Sequence, residues 1–329
     1  MEDRAAVARC ARQERGGKGL SPRWRQAFVR RFECRFRLDE PLSRHTTLRV
    51  GGPAELMAWV DSPEQLVRVR QWLDAKGVPW RVLGGGSNVL VSDDGIEGAV
   101  LRLDGKMKGF RTRREGAKVV RLEAGAATSL ARLVRWSTSN NLAGLHGLWG
   151  IPGTLGGAIK GNAGTRLGSV SDCLVRMCVA EASGLRWLDS RSARFGYRRS
   201  AVGKRRVVVA ATLELKPVTP ARMKTLLERV SRLREGQPRA AATAGCFFRN
   251  PRQAPAGLLI ERAGMKGARL GGAVVSARHA NFIVNTGGAT ALQIWTLARR
   301  VAVQVKKQFG VTLEREVDCW GPFSSGRKA

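Results

Sequence analysis

Apolar residues recur at helical spacing at Leu66, Val69, Trp72 and Leu73, between a Ser62-Pro63-Glu64-Gln65 start and a Gly77 stop. A serine cap, a proline at the first helical position and a glutamine three residues after the cap mark a helix N-terminus, so the spacing predicts a helix here. Two short apolar runs follow, Trp80 to Leu83 and Val89 to Val91, and both read as strands. Further strands are expected at Gly98 to Leu103, Val119 to Glu123 and Val207 to Leu215. A second helix is expected over Thr128 to Ser139, with Leu130, Leu133, Val134 and Trp136 as its apolar set. Beyond Pro217 the pattern turns helical. Thr219-Pro220 opens a helix to about Glu235, and two more are expected at Ala256 to Ala263 and at Ala289 to Phe309, the last carrying Leu292, Trp295, Leu297 and Val301. The chain divides into a basic, weakly periodic and loosely ordered extension over residues 1–38, a domain over 39–216 and an α/β domain over 217–329. Within the extension, Trp24, Phe28 and Phe32 fall on a common helical face.

Composition narrows the classes. The 329 residues are 43% hydrophobic, which excludes a disordered chain and allows two or three domains with their own cores. No run approaches the roughly 18 apolar residues of a spanning helix, and Met1-Glu2-Asp3-Arg4 lacks the apolar core of a secretory signal, so neither membrane insertion nor secretion is expected. Lys and Arg number 58 against 26 Asp and Glu, a formal net charge of +32, which points first to nucleic acid or an anionic surface. However, residues 1–35 hold only +6 of it, and 45 of the 58 basic residues are Arg while Tyr occurs once. That skew is what a GC-rich genome produces, so composition ranks ahead of an anionic small-molecule substrate, and nucleic acid ranks last. The six cysteines are scattered without C-x-x-C spacing and the three histidines are His45, His146 and His279, so no metal site or disulfide framework is expected. A reduced, cytoplasmic compartment fits.

Two glycine-dense stretches remain. A dinucleotide-binding turn of the Rossmann type lies between a strand and a helix, whereas Gly84-Gly85-Gly86-Ser87-Asn88 lies between two strands. The alternatives for it are a nest of backbone N–H groups approached by a phosphate, and a tight hairpin turn. The second stretch, from Gly144 to Gly168, is too apolar for a flexible linker and reads as backbone packed against a flat ligand or as turns in a crowded barrel.

Several blocks carry a family resemblance. HTTLRVGGPAE (His45 to Glu55), VLGGGSNVLV (Val82 to Val91) and GIPGTLGGAIKGNAG (Gly150 to Gly164) resemble the FAD-binding half of the UDP-N-acetylenolpyruvoylglucosamine reductases of peptidoglycan precursor synthesis. AGCFFRNP (Ala244 to Pro251), AGLLIERAGMKGARLGGAVVSARHANFIVN (Ala256 to Asn285) and GVTLEREV (Gly310 to Val317) match the other half in order, so the resemblance extends over about residues 42–320. It implies an α+β fold, with a two-lobed FAD-binding domain of the vanillyl-alcohol-oxidase type followed by a C-terminal α/β substrate-binding domain. The implied reaction is NADPH-dependent. Non-covalent FAD passes hydride from N5 to C3 of the enolpyruvyl ether of UDP-N-acetylglucosamine, C2 is protonated, and UDP-N-acetylmuramate results.

The same resemblance implies the site. Arg198 stands at the position of the catalytic arginine, where a guanidinium can face the pyruvyl carboxylate in two-point contact. Its neighbour Arg199 would point to the opposite face of an extended segment. Cys246 is the implied proton donor, replacing the serine of many relatives, and a nearby arginine should lower its pKa and cause rate loss at alkaline pH. Glu316 is the implied carboxyl group, with Glu314 two residues away on the same strand face. Gly84, Gly85, Gly86, Ser87, Asn88, Ile151, Gly153, Thr154, Gly156, Gly157 and Asn162 are implied to hold FAD, and Asn250, Glu261, Lys266 and His279 to contact the nucleotide-sugar. No metal is implied. The short interval between Arg198 and Cys246 is similar to the compact subclass that lacks a tyrosine-bearing loop over the diphosphate. Thr165-Arg166-Leu167-Gly168, His146 and Ala242 depart from the family pattern. The competing readings are a flavin oxidase of the same superfamily acting on another anion, and a basic nucleic-acid-binding protein that kept an enzyme scaffold. The sequence leaves the oligomeric state open.

Overall fold

The computed structural model describes residues 23–203, 206–238 and 240–323. The first lobe comprises α1 (Arg23–Arg31), β1 (Phe36–Pro41), β2 (Pro53–Val60), α2 (Pro63–Ala75), β3 (Trp80–Val82), β4 (Val89–Val91) and β5 (Ile96–Leu103). Its sheet runs β1-β2-β5-β3, with β5 parallel to both β2 and β3. The helix forms where the sequence signals it. Ser62 Oγ accepts from Gln65 N at 3.1 Å, while the Gln65 side chain accepts from Asp61 N at 2.7 Å, one residue before the expected capping-box partner. The apolar stripe Leu66, Val69 and Leu73 shares one core with Leu56 and Leu101 beneath it and with Cys178, Ala180 and Val209 of the second lobe. Helix α2 is thus the spacer between two sheets.

The extension expected over residues 1–38 is not all loose. Residues 1–22 lie outside the described part, but Trp24 and Phe28 of α1 are buried in the α2 core, Phe28 meets Trp72 edge-on at 5.8 Å, and β1 pairs with β2. The helical face expected of Trp24, Phe28 and Phe32 is the one that packs here, and the stability of this short helix comes from packing rather than propensity.

The second lobe follows as β6 (Phe110–Glu115), β7 (Val119–Gly125), α3 (Leu130–Ser139), β8 (Leu142–Ala143), α4 (Leu155–Gly161), β9 (Gly164–Thr165), β10 (Gly168–Ser169), β11 (Leu174–Glu181), β12 (Gly184–Asp189) and β13 (Val207–Pro217). An antiparallel sheet runs β12-β11-β13-β7-β6, and α3 and α4 cover one face through Leu130, Leu133, Leu155 and Ile159. The departure at Thr165 to Gly168 closes the β9–β10 hairpin, with Thr165 opposite Gly168.

The third part comprises α5 (Pro220–Leu233), β14 (Ala242–Cys246), α6 (Ala256–Arg262), β15 (Arg269–Leu270), β16 (Ala273–Val275), β17 (Phe282–Asn285), α7 (Ala291–Phe309) and β18 (Asp318–Trp320). Its sheet β14-β17-β16-β15 is antiparallel, with Ala242 opening β14 opposite Asn285. The buried stripe of α7 is Ile294, Leu297, Ala298, Val301 and Val305, which leaves the expected Leu292 37% exposed. Strand β18 leaves this domain to pair in parallel with β4, and Leu48, Val50 and Leu90 of the first lobe complete the third core. Among the described residues, no helix is long and apolar enough to cross a membrane, no cluster of His, Cys, Asp and Glu could hold a metal, and five cysteines are free.

Candidate active site

The first glycine loop joins β3 to β4, as the apolar runs on either side require. Among the described residues, no backbone N–H from Gly84 to Asn88 makes a hydrogen bond, so the loop carries a row of unused donors. The second glycine segment lies directly against it. A Cβ on Gly85 would come within 2.7 Å of Gly153 Cα, and one on Gly86, where φ is +63°, within 2.0 Å of the His45 carbonyl oxygen. A side chain at Gly85 would force the two glycine segments apart, and one at Gly86 would collide with the backbone at His45. A floor of bare backbone with free N–H groups suits the pyrophosphate of a dinucleotide, because donors and close approach are what that group requires.

Behind this floor lies a part-buried hydrogen-bonded chain that sequence reasoning missed. Arg102 donates to His45 Nδ1 at 3.0 Å and His45 Nε2 donates to the buried Glu40 at 2.9 Å, a direction set by arginine having no acceptor. Thr47 was also missed. Its N–H donates to Gly86 O at 3.0 Å and its hydroxyl to Thr243 O at 2.7 Å, tying the loop to the third domain. The only signal was the place of His45 and Thr47 in the block His45 to Glu55; Glu40 and Arg102 lie outside it.

Strand β4 carries the loop on toward the charged residues. Asn88 Nδ2 donates to Glu316 O at 3.1 Å, and Asp318 N donates to Asn88 O at 3.0 Å. Asp93, just past β4, accepts from Ala291 N and Leu292 N at 2.8 and 2.9 Å, capping α7 across the domain boundary. These contacts fix Glu316 relative to the glycine floor. Glu314 and Glu316 flank the Phe248–Arg315 bridge, which separates them by what each meets. Glu314 is exposed and reaches Arg249 at 3.6 Å, whereas Glu316 is half-buried and pairs with Arg198 Nε at 3.2 Å.

Arg198 is not in an extended segment. Gly196 and Arg199 close a two-residue turn by mutual backbone bonds, and Arg198 within it has φ of +53°. Arg199 folds back over Gly196 instead of facing the opposite side of a strand. Tyr197 is exposed beside the Arg198 guanidinium, 5.5 Å from ring centre to Cζ.

Cys246 ends β14. Burial and the Glu316 charge push its thiol up to about 11, while Arg198, Arg234 and a hydrogen bond from Asn281 act in the opposite direction. This overturns the expected alkaline thiolate: the arginines are present, but desolvation outweighs them. Because the folded value lies above the ordinary one of 9.0, the thiol adds stability below pH 9 that is lost as pH rises through about 11. A difference titration of thiolate absorbance between the flavin-free protein and its Cys246→Ser variant is expected to show a midpoint near 11, and a midpoint near 8 would contradict it. Burial likewise raises the Glu316 carboxyl, against Arg198 and Arg249.

Asn281 is a further missed residue. It is buried, and its amide clips Phe248 by accepting from the backbone N–H at 2.9 Å and donating to the carbonyl at 2.7 Å. It lies in the same SARHANF run that drew attention to His279. His279 itself accepts from Asn281 N through Nδ1 at 3.3 Å, and burial lowers its pKa. Glu261 and Lys266 pair at 2.7 Å on the surface close enough to act on His279. Asn250 accepts from Ala256 N at 2.9 Å and so caps the approach to α6. None of these four is among the groups that shift Cys246. His146 accepts from Gly144 N at 3.3 Å, an engagement within its own turn.

Comparisons with known proteins match this arrangement over nearly the whole chain. A model described as an FAD binding domain matches residues 54–188, and one described as the UDP-N-acetylenolpyruvoylglucosamine reductase C-terminal domain matches 237–320. The reductase of that name from Anaeromyxobacter dehalogenans is 41% identical over 91% of this chain and 90% of its own. The chain belongs to the UDP-N-acetylenolpyruvoylglucosamine reductase family. The Moorella thermoacetica reductase is 41% identical over 86% of this chain and 92% of its own. A solved UDP-N-acetylenolpyruvylglucosamine reductase from Thermus caldophilus, 37% identical, superposes with a TM-score of 0.75 over 88% of this chain and 99% of that one. The chain is therefore a flavin-dependent oxidoreductase with FAD as its cofactor.

Proposed function

We propose that the chain reduces UDP-N-acetylglucosamine enolpyruvate to UDP-N-acetylmuramate at the expense of NADPH, as a step of peptidoglycan precursor synthesis. The observation that carries this reading is the meeting of Arg198, Glu316 and the Cys246 thiol in a chain of this family. Bound FAD would supply the two-electron carrier between NADPH and the enolpyruvyl ether. The backbone of Gly84 to Asn88 and of Gly153 to Gly157 would hold it.

The protein's own part is electrostatic and protonic. Hydride addition at C3 leaves negative charge on C2 and its carboxylate, which the Arg198 guanidinium can meet in two-point contact. Cys246 gives its proton to C2. The resulting thiolate is stabilised by the groups that lower its pKa, Arg198, Arg234 and Asn281, and is reprotonated from solvent. Glu316 pairs with Arg198 as a carboxylate, and it can accept a hydrogen bond from the developing enol. Asn250, Glu261, Lys266 and His279 are proposed for the nucleotide-sugar.

The test is anaerobic. NADPH should bleach the flavin of the purified protein, and the enolpyruvyl ether should restore its colour far faster than oxygen does. Rapid reoxidation by oxygen with no response to the ether would replace this reading with that of an oxidase.

A further inference from the structure

We propose that Asn162 is a positioning residue for Arg198 rather than a ligand of the cofactor. The inference deepens the proposed function and rests on it. Asn162 ends α4 in the left-handed conformation, φ 44° and ψ 57°, which asparagine tolerates better than most residues. Both ends of its amide are engaged by protein. Nδ2 donates to Gly196 O at 3.1 Å, and Oδ1 accepts from Ser171 N at 3.4 Å.

Gly196 is the residue that opens the Arg198 turn. Its carbonyl oxygen already accepts from Arg199 N at 3.2 Å, so the bond from Asn162 fills its second lone pair. Beyond the turn, Ser200 Oγ donates to Lys160 O at 2.8 Å. The turn is therefore fastened at both ends to the last residues of α4. That fastening matters because Arg198 has φ of +53°, a conformation a non-glycine side chain keeps only when its surroundings hold it there. Released, Arg198 would return to an ordinary backbone basin and carry its guanidinium away from Glu316.

The other end of α4 is capped by Thr154, next to Gly153, which abuts Gly85 of the first glycine loop. One short helix thus sets the separation between the glycine floor and the arginine. Asn162 lies at its arginine end.

Two variants separate the roles. Asn162→Gly keeps the left-handed cap and removes the amide, and Ser200→Ala loosens the opposite end of the turn. Bound FAD per chain and flavin reduction by NADPH are expected to stay within about twofold of wild type in both, while reoxidation by the enolpyruvyl ether slows about tenfold in Asn162→Gly. A second readout needs no turnover. Tyr197, the only tyrosine, sits in the turn, so tyrosine-labelled protein gives a single amide resonance, which Asn162→Gly should shift or broaden. Loss of FAD, or equal slowing of both half-reactions, would make Asn162 a cofactor ligand and overturn the proposal. An unmoved Tyr197 resonance with normal reoxidation would overturn it too. A shifted Tyr197 resonance in Asn162→Gly, together with wild-type protein whose reduced flavin the ether fails to reoxidise, would uphold the turn's dependence on Asn162 and sink the proposed substrate instead.

Discussion

Replacing Cys246 by alanine is expected to leave flavin reduction by NADPH nearly unchanged while slowing reduction of the enolpyruvyl ether by about 10²–10⁴-fold, the range a positioned proton donor supplies. The asymmetry follows from when the proton is used. Charging the flavin requires nothing from the thiol, whereas the carbanion-like centre at C2 does. The thiol is suited to that task because burial holds it protonated up to about pH 11, while Arg198, Arg234 and Asn281 stabilise the thiolate left behind. Cys246→Ser retains an O–H at the same place and should keep most of the activity. Rapid-mixing measurement of the two half-reactions decides the matter, and an equal loss in both would reject the role.

Replacing Arg198 by alanine is expected to lower kcat/KM for the ether by about 10²–10³-fold or more, the cost of one preorganised donor at a developing anion. A second consequence comes from its partner. Glu316 is half-buried with its carboxyl already raised by desolvation, and Arg198 is the foremost group holding it down. Without that cation the carboxyl rises further, so the acid limb of the pH–rate profile should move to higher pH in Arg198→Ala. Arg198→Lys restores the charge but not the planar fork, and should recover the pH limb more fully than the rate. A profile that does not move would separate Glu316 from Arg198 in function despite their 3.2 Å contact.

The local elements were legible because local rules wrote them. Ser62-Pro63 starts α2, Thr219-Pro220 starts α5, and the two apolar runs around Gly84 to Asn88 are strands, each decided by a cap, a proline or a glycine within a few residues. The motif blocks likewise carried the family and its cofactor, since those blocks span both halves of the chain. Less legible was α1, where three aromatics among arginines give a weak pattern until α2 supplies the surface they bury against.

What only the tertiary structure decided is how groups far apart in sequence act on one another. Sequence placed an arginine near a thiol and predicted a lowered pKa; burial reversed the sign, because desolvation depends on everything packed around the sulfur. Glu314 and Glu316 are indistinguishable in the chain, and the turn at Arg198 chooses between them. Asn162 stands in a glycine-rich motif, and its amide donates to Gly196 O, 34 residues away. The sequence by itself determined which residues are available and which short elements they form. Geometry between distant segments determined their charge states and partners, because electrostatics and hydrogen bonding depend on distances that the order of residues does not contain.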